Sequence, residues 1–140
     1  MIVAFSFNES VVHLDGVGPI TTASNEPGFW EVRDRAELST GQVVSVFNYA
    51  KTWEYQERHP DGGELAMVLD GDVDVLVDMG GRETPVRLRP GLACVVPAGA
   101  WHRVAVHEPT TMLFITPVPA RTQHRSLAAT SVDQPVQITP

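Results

Sequence analysis

ELAMVLDGDVDVLVDMGGRETPVRLRPGLACVVPAG, residues 64–99, is the stretch of sequence that decides the fold. Its apolar residues alternate with polar ones or run unbroken for only a few positions, and Gly or Pro separates the runs. The same pattern continues outward in residues 42–59, 102–108 and 111–118. A sustained helical period is absent, and only EVRDRAEL (31–38) has room for a helical turn or two. The sequence therefore predicts an all-β domain, either a sandwich, a jelly roll or a barrel.

Composition limits the classes of partner. The 140 residues, of which 43% are hydrophobic, suit one globular domain. A net charge of −7 without a long basic run argues against nucleic acid and anionic membranes as partners. No apolar segment approaches the roughly 20 residues of a transmembrane helix, and no basic segment precedes the first apolar run, so no signal peptide is predicted. The single cysteine, Cys94, rules out an internal disulfide and suits the reducing cytoplasm. It lies in an apolar run and is interpreted as buried packing.

Two carboxylates and a histidine surround a Pro-Gly turn in ERHPDGGE, residues 57–64. Side chains two apart on a strand share a face, so we expect Glu57 and His59 on one side. That face also holds Trp53 and Tyr55, and the opposite face holds Glu54, Gln56 and Arg58. A hairpin turn after Pro60 would bring Glu64 beside them. Two interpretations remain open: a solvated turn built of common surface residues, or three ligands of one metal ion, which would offset the cost of a buried carboxylate.

A second group of residues lies in GLACVVPAGAWH, residues 91–102. An apolar strand ends at Pro97-Ala98-Gly99, and the chain enters the next strand at His102, with Val104 on the same face. Taken alone, a histidine at the start of such a strand is more often a core residue than a ligand. When His102 is considered together with the first group, residues 57–64, its interpretation as a metal ligand becomes more favourable.

Together the two stretches resemble the two conserved motifs of the cupin superfamily, which are small β-barrels of the double-stranded β-helix or jelly-roll type. The first motif runs Gly, His-x-His, three or four residues, Glu, six residues, Gly. This chain has Glu57-x-His59, four residues, Glu64, six residues and Gly71 in that frame. The second motif runs Gly, five residues, Pro-x-Gly, two residues, His, and usually Asn four positions later. This chain has Gly91, Pro97, Gly99 and His102, with Val106 in place of the Asn.

The resemblance covers about residues 40–118 and implies a jelly-roll barrel as the core. We therefore expect the barrel over 41–118, N-terminal strands and a loop packed on it over 1–40, and a loosely packed or mobile tail over 119–140. A homodimer is also expected, because small cupins usually pair through sheet edges and residues 1–7, MIVAFSF, resemble an edge strand that needs cover.

The resemblance also implies that Glu57, His59, Glu64 and His102 surround one divalent metal ion. Glu57 replaces the usual first histidine, and two carboxylates with two imidazoles suit Zn, Mn or Fe(II) better than Cu(I). The alternative is a cupin without metal, in which Glu57 pairs with an arginine or hydrogen-bonds in an empty pocket. In the absence of metal, we expect the two carboxylates to repel, so that one of them holds a proton.

Several further side chains are weaker candidates. Candidates for lining a substrate cavity, or for filling the core, are Trp53, Tyr55, Trp101, Met112 and Phe114. Among the remaining histidines we expect a structural role for His13, solvent exposure for His107, and a surface position for His124 in preference to one over the barrel mouth.

Three classes of function remain. The first is a non-redox metal-dependent enzyme, such as an isomerase, cyclase or lyase, in which the ion is a Lewis acid and Glu57 moves a proton. The second is an Fe(II) dioxygenase, whose usual ligand sets are richer in histidine. The third is a binding or sensory cupin that holds a ligand without turnover. We favour the first. The substrate is expected to be a small organic molecule with a carbonyl, enol or carboxylate, and no basic cluster marks a phosphate site.

Overall fold

The computed structural model describes residues 2–25, 38–118 and 121–127. Within them the chain forms nine strands and every strand pair is antiparallel. The strands are β1 (Ser10–Leu14), β2 (Thr21–Ser24), β3 (Gln42–Tyr49), β4 (Tyr55–Arg58), β5 (Glu64–Asp78), β6 (Glu83–Leu88), β7 (Ala93–Val96), β8 (His102–Pro117) and β9 (Gln123–Ser126). The all-β prediction is confirmed. The helical turn considered for EVRDRAEL falls, except for its last residue, outside the described residues, as do residues 128–140 of the tail.

Two long strands form the centre of the fold. β5 has 15 residues and β8 has 16, and they pair from Leu65↔Ile115 to Val77↔His102. The sequence suggested that Gly71 and Pro109 separate shorter strands, but both strands continue through these positions. The register shifts between Val68 and Val73, which marks a β-bulge where the two strands bend together.

The bend requires a glycine. Gly71 has a φ of 110°, and a Cβ at this position would lie 2.6 Å from Cα of Thr110 and 2.7 Å from the carbonyl oxygen of Pro109. Real side chains avoid both the positive φ and such contacts. The glycine that ends the first cupin-like motif is therefore explained by the close approach of β8.

The other strands are added to this central pair. β3 pairs with the second half of β8, and β1 and β2 continue from β3 to an edge. β6 and β7 pair with β5, and β9 pairs with β4. The main apolar core lies inside the rolled sheet and consists of Trp53, Ala66, Val68, Val73, Val75, Val77, Leu88, Val96, Val104, Met112 and Phe114. A smaller cluster under the N-terminal strands holds Val11, Leu38, Val43 and Val118.

The expected hairpin between β4 and β5 is wrong. β4 pairs with β8 and β9, whereas β5 pairs with β6, β7 and β8. Residues 59–63 thus connect two strands that are not paired with each other. Glu57 and Glu64 therefore meet across the barrel and not across a hairpin.

Residues 2–6 form no strand, so the edge strand expected at the N-terminus is absent from them. Among the described strands, the edge on this side is β2, which pairs with β1. Among the residues that the structure describes, no helix combines the length and the apolar composition that a membrane span requires.

The homodimer stays a prediction. The apolar side chains of Ile2, Val3 and Phe5 are exposed near the N-terminus, and a partner chain would cover them. Light scattering at micromolar concentration is expected to give about twice the 15.3 kDa of one chain. A mass equal to one chain would contradict the dimer.

Replacing Gly71 tests the bend. Gly71→Ala is expected to lower the free energy of unfolding by more than about 1 kcal/mol, because the added Cβ meets the β8 backbone and the φ stays positive. Urea denaturation followed by circular dichroism measures the change. Gly80→Ala is the matched control, since Gly80 also has a positive φ (71°) but a Cβ there lies more than 4 Å from the other described parts of the chain. Equal losses from both substitutions would contradict the steric explanation.

Candidate metal centre

Four side chains from separate parts of the chain converge at one end of the barrel. Glu57, His59, Glu64 and His102 each present one ligand atom, and these atoms lie within 4.8 Å of one another. Glu57 lies in β4 opposite His102, the first residue of β8, and Glu64 is the first residue of β5. The structure thus brings together all four residues expected from the sequence.

The imidazole Nε2 atoms face the carboxylates. Nε2 of His59 lies 3.2 Å from Oε2 of Glu57 and 3.1 Å from Oε2 of Glu64. Nε2 of His102 lies 3.1 Å from Oε1 of Glu64 and 3.6 Å from Oε2 of Glu57. His59, Glu64 and His102 are buried, whereas the Glu57 side chain keeps 14% exposure. Such a cluster in an apolar barrel requires compensating charge or hydrogen bonds.

Each group is oriented by a neighbour. Nδ1 of His102 lies 3.1 Å from the carbonyl oxygen of Ala100. A carbonyl only accepts, so Nδ1–H donates to it. Without a metal, a proton on Nε2 is donated to Oε1 of Glu64 at 3.1 Å, and when that proton is lost Nε2 carries the lone pair of the neutral ring. The hydroxyl of Thr116 donates to Oε2 of Glu64 at 2.7 Å. A hydrogen bond of 3.0 Å joins Nδ1 of His59 to the hydroxyl of Thr122.

Among the residues that the structure describes, one atom of this cluster has no hydrogen-bond partner. Nε2 of His59 is buried, and the carboxylate oxygens near it lie away from the direction in which an N–H could donate. Buried ring nitrogens are rarely left without a hydrogen-bond partner. Two imidazole nitrogens and two carboxylates are an ordinary ligand set for a divalent transition ion. These residues therefore fit a metal ion.

Without a metal, the protons of the cluster belong to the histidines. Burial by itself lowers the pKa of His59 and of His102, but the nearby negative carboxylates of Glu57 and Glu64 outweigh it and raise these pKa values to about 9 and about 10. Burial by itself raises the pKa of both carboxyls, but their histidine partners hold the pKa of Glu57 and that of Glu64 below the usual range. The expectation that one carboxylate holds a proton is wrong, because the imidazoles are the stronger bases.

A cavity of about 490 Å³ opens beside the cluster. Its lining consists of Ser45, Phe47, Tyr49, Trp53, Tyr55, Glu57, His59, Glu64, Phe114, Thr116, Thr122 and His124. Three of the expected cavity residues, Trp53, Tyr55 and Phe114, lie here, and the ring of Trp53 stacks on that of Tyr55 at 5.3 Å.

The other two expected cavity residues lie elsewhere. Met112 is fully buried in the apolar core. The Trp101 ring packs against the guanidinium groups of Arg58 and Arg125, at 4.7 Å and 4.4 Å, on the opposite side of β4 from the cavity. His102 begins a strand, and its predecessor in the chain faces the other way. The structure therefore does not support substrate contact for Trp101 and Met112.

Several residues that line the cavity were not predicted from the sequence. Ser45, Phe47 and Tyr49 alternate along β3, and this period of two was a usable signal. Thr122 had no such signal, because it lies in the segment assigned to the tail. For His124, a position over the barrel mouth was the less favoured of the two expectations. His124 has a 56% exposed side chain, as expected for the surface, but its Nε2 lies 3.4 Å from Oε1 of Glu57 at the mouth of the cavity.

The remaining histidines lie away from the cavity. His13 is buried and hydrogen-bonds through Nε2 to the carbonyl oxygen of Thr40 at 2.7 Å, which supports a structural role. His107 is 40% exposed and pairs with Asp74 on the surface.

Comparison with known proteins adds a family match. Residues 45–116 match a family model described as a cupin domain. A search of curated proteins found no significant match. Similar solved structures include a cupin-2 domain containing protein from Shewanella frigidimarina, with 20% identity over 54% of this chain and 70% of that chain and a TM-score of 0.48. A cupin superfamily protein from Desulfitobacterium hafniense has 25% identity over 59% of this chain and 70% of that chain, with a TM-score of 0.47.

A recombinant oxalate oxidase in complex with glycolate gives a TM-score of 0.51 at 16% identity. The match covers 59% of this chain and 45% of that chain. At this identity the likeness concerns the fold alone, and it agrees with the rolled β-sheet described above.

Removing either histidine is expected to abolish tight metal binding. His102→Ala or His59→Ala takes away a ligand atom and leaves the buried carboxylates short of positive charge. The loss of affinity should exceed the roughly 10- to 100-fold that follows removal of a ligand's hydrogen-bond partner. Calorimetric titration of metal-free protein with Zn²⁺ measures it.

His107→Ala is the matched control for this titration, because His107 lies on the same strand as His102 but on the surface. It is expected to leave the affinity unchanged. Wild-type affinity in both His102→Ala and His59→Ala would contradict the proposed ligand set.

Proposed function

Because the chain belongs to the cupin family, we propose that it is a metal-dependent enzyme that carries out a non-redox reaction on a small organic molecule. The reaction class is isomerisation, cyclisation or elimination. The observation that carries the proposal is the convergence of two carboxylates and two imidazoles at the wall of an aromatic-lined cavity. The family match confirms the resemblance noted in the sequence.

Glu57, His59, Glu64 and His102 would hold one divalent ion, Zn, Mn or Fe(II). When bound, the ion supplies Lewis-acid polarisation of a substrate oxygen. The buried, oriented ring nitrogens of His59 and His102 serve as ligands and not as proton carriers, since each uses its Nδ1 in a hydrogen bond to Thr122 or Ala100.

The two carboxylates have unequal surroundings, which supports different roles. Glu64 is 3% exposed and is held by Thr116 at 2.7 Å and by His102 at 3.1 Å. Glu57 is more exposed, lines the cavity, and has longer contacts of 3.2 to 3.6 Å with the three histidines around it. Glu57 is therefore the carboxylate free to take a proton from a substrate carbon and return it to a neighbouring atom.

The cavity wall supports an uncharged or weakly polar substrate. Its aromatic side chains are Phe47, Tyr49, Trp53, Tyr55 and Phe114. Neither Lys nor Arg occurs among the described lining residues, which disfavours phosphorylated substrates. Burial and the charge of Glu57 raise the pKa of Tyr55 to about 12 and that of Tyr49 further, so both phenols stay neutral and can donate to a substrate oxygen.

Replacing the proposed proton carrier separates catalysis from metal binding. Glu57→Gln is expected to retain a divalent ion through the other three ligands but to lose proton transfer by about 100-fold or more. Wild-type protein purified without a His-tag is incubated in D₂O with a panel of small carbonyl and hydroxy-acid compounds. Proton NMR then follows the loss of signals from hydrogens next to a carbonyl.

Glu54→Gln is the control, because it makes the same chemical change three residues away at an exposed position. Metal analysis and an oxygen electrode complete the experiment. Bound iron with oxygen uptake would overturn the non-redox proposal in favour of a dioxygenase. Bound metal with neither exchange nor oxygen uptake across the panel would favour a binding protein, and unchanged exchange in Glu57→Gln would contradict the role of Glu57.

A further inference from the structure

We propose that Thr122 is a positioning residue that holds the His59 ring in the orientation needed to ligate a metal ion. The proposal rests on the metal site of the proposed function and adds to it a residue from the C-terminal segment, 121–127. This segment lies beyond residues 45–116, the part of the chain that matches the cupin family model.

The geometry around His59 assigns a separate partner to each ring nitrogen. Nδ1 lies 3.0 Å from Oγ1 of Thr122, and Nε2 lies within 3.2 Å of both Glu57 and Glu64. If Nδ1–H donates to the hydroxyl oxygen, Nε2 keeps its lone pair free, with the two carboxylates within 3.2 Å of the same atom. A metal ligand needs this tautomer and this ring orientation. Without the hydroxyl, Nδ1 would lose its hydrogen-bond partner inside the barrel, and rotation of the ring would no longer be opposed.

His102 offers the contrast. Its Nδ1 donates to the backbone carbonyl of Ala100, two residues away, so the main chain orients this ring whatever side chains surround it. The ring of His59 depends on a side chain 63 positions further along the sequence. Of the two histidines, only His59 is therefore open to disruption by a single side-chain substitution at its Nδ1 partner.

Residues on both sides of Thr122 make hydrogen bonds that hold this segment against the rest of the domain. Nε of Arg121 donates to Oδ2 of Asp61 at 2.9 Å, and Nε of Arg58 donates to Oε1 of Gln123 at 2.5 Å. Further along, Nε of Arg125 donates to Oε1 of Gln56 at 2.7 Å. β9 also pairs with β4 over four residues, from Tyr55↔Ser126 to Arg58↔Gln123. These contacts place the hydroxyl of Thr122 against the strand that leads into His59.

Thr122→Val tests the proposal, because it removes the hydroxyl and keeps the branched shape. Metal-free wild type and variant are titrated with Zn²⁺ by calorimetry, and the variant is expected to bind about 10- to 100-fold more weakly. Thr122→Ser, which restores a hydroxyl, is expected to recover most of the affinity. Thr111→Val is the matched control, since the exposed hydroxyl of Thr111 donates to Asn48 and not to the metal cluster.

The thermal midpoints of the metal-free variants show whether a loss of affinity reflects unfolding. If Thr122→Val does not fold, Thr122→Ala carries the same comparison. Wild-type affinity in the hydroxyl-free variant would overturn the positioning role while leaving the metal site intact. A Thr122→Ser variant as weak as Thr122→Val would overturn it too. Failure of the wild type to bind Zn²⁺, Mn²⁺ or Fe²⁺ would instead contradict the metal site itself, and the positioning role with it.

Discussion

The antiparallel pairing of β5 with β8, and its bend at Gly71, is the constraint on which the rest of the structure depends. Glu64 lies at one end of this ladder, next to the Leu65↔Ile115 pair, and His102 lies at the other, opposite Val77. In a flat sheet the two ends would be roughly 40 Å apart, at about 3.3 Å per residue. They are in fact joined by a contact of 3.1 Å between Nε2 of His102 and Oε1 of Glu64. The candidate metal centre therefore exists only because the sheet rolls up.

The electrostatics of the centre follow from that closure. Rolling the sheet places two carboxylates with little exposure in the wall of a cavity lined by aromatic rings, which is unfavourable for isolated charges. Two imidazoles lie within reach of both carboxylates and offset the charge by protonation when no ion is present, as the raised pKa values of His59 and His102 indicate. A divalent ion would take the place of those protons. The same four groups thus compensate one another in either state, and the barrel wall beside them is left apolar for a substrate.

The C-terminal segment, residues 121–127, contributes residues to the candidate metal centre. The cupin match ends at residue 116, yet Thr122 and His124 contact His59 and Glu57. The outer side of β4 is bound to the same segment through Gln56, Arg125 and Trp101. A strand whose inner face supplies a ligand is thus fixed from its outer face by contacts with residues 121–127, a segment that the family match does not cover.

The sequence by itself determined the all-β class, the family and the four residues that converge, because strand alternation and motif spacing are local properties of the chain. Alternation also placed Trp53, Tyr55, Glu57 and His59 on the cavity side of the chain. Only the tertiary structure decided that β5 and β8 continue through Gly71 and Pro109, that β4 and β5 are not a hairpin, and that Trp101 lies outside the cavity. It also decided that the histidines and not the carboxylates hold the protons, and that Thr122 reaches His59. A period of two tells which side of a strand a residue occupies, but it carries no information about which distant strand lies against that side. Which strands lie against each other is decided when the barrel closes.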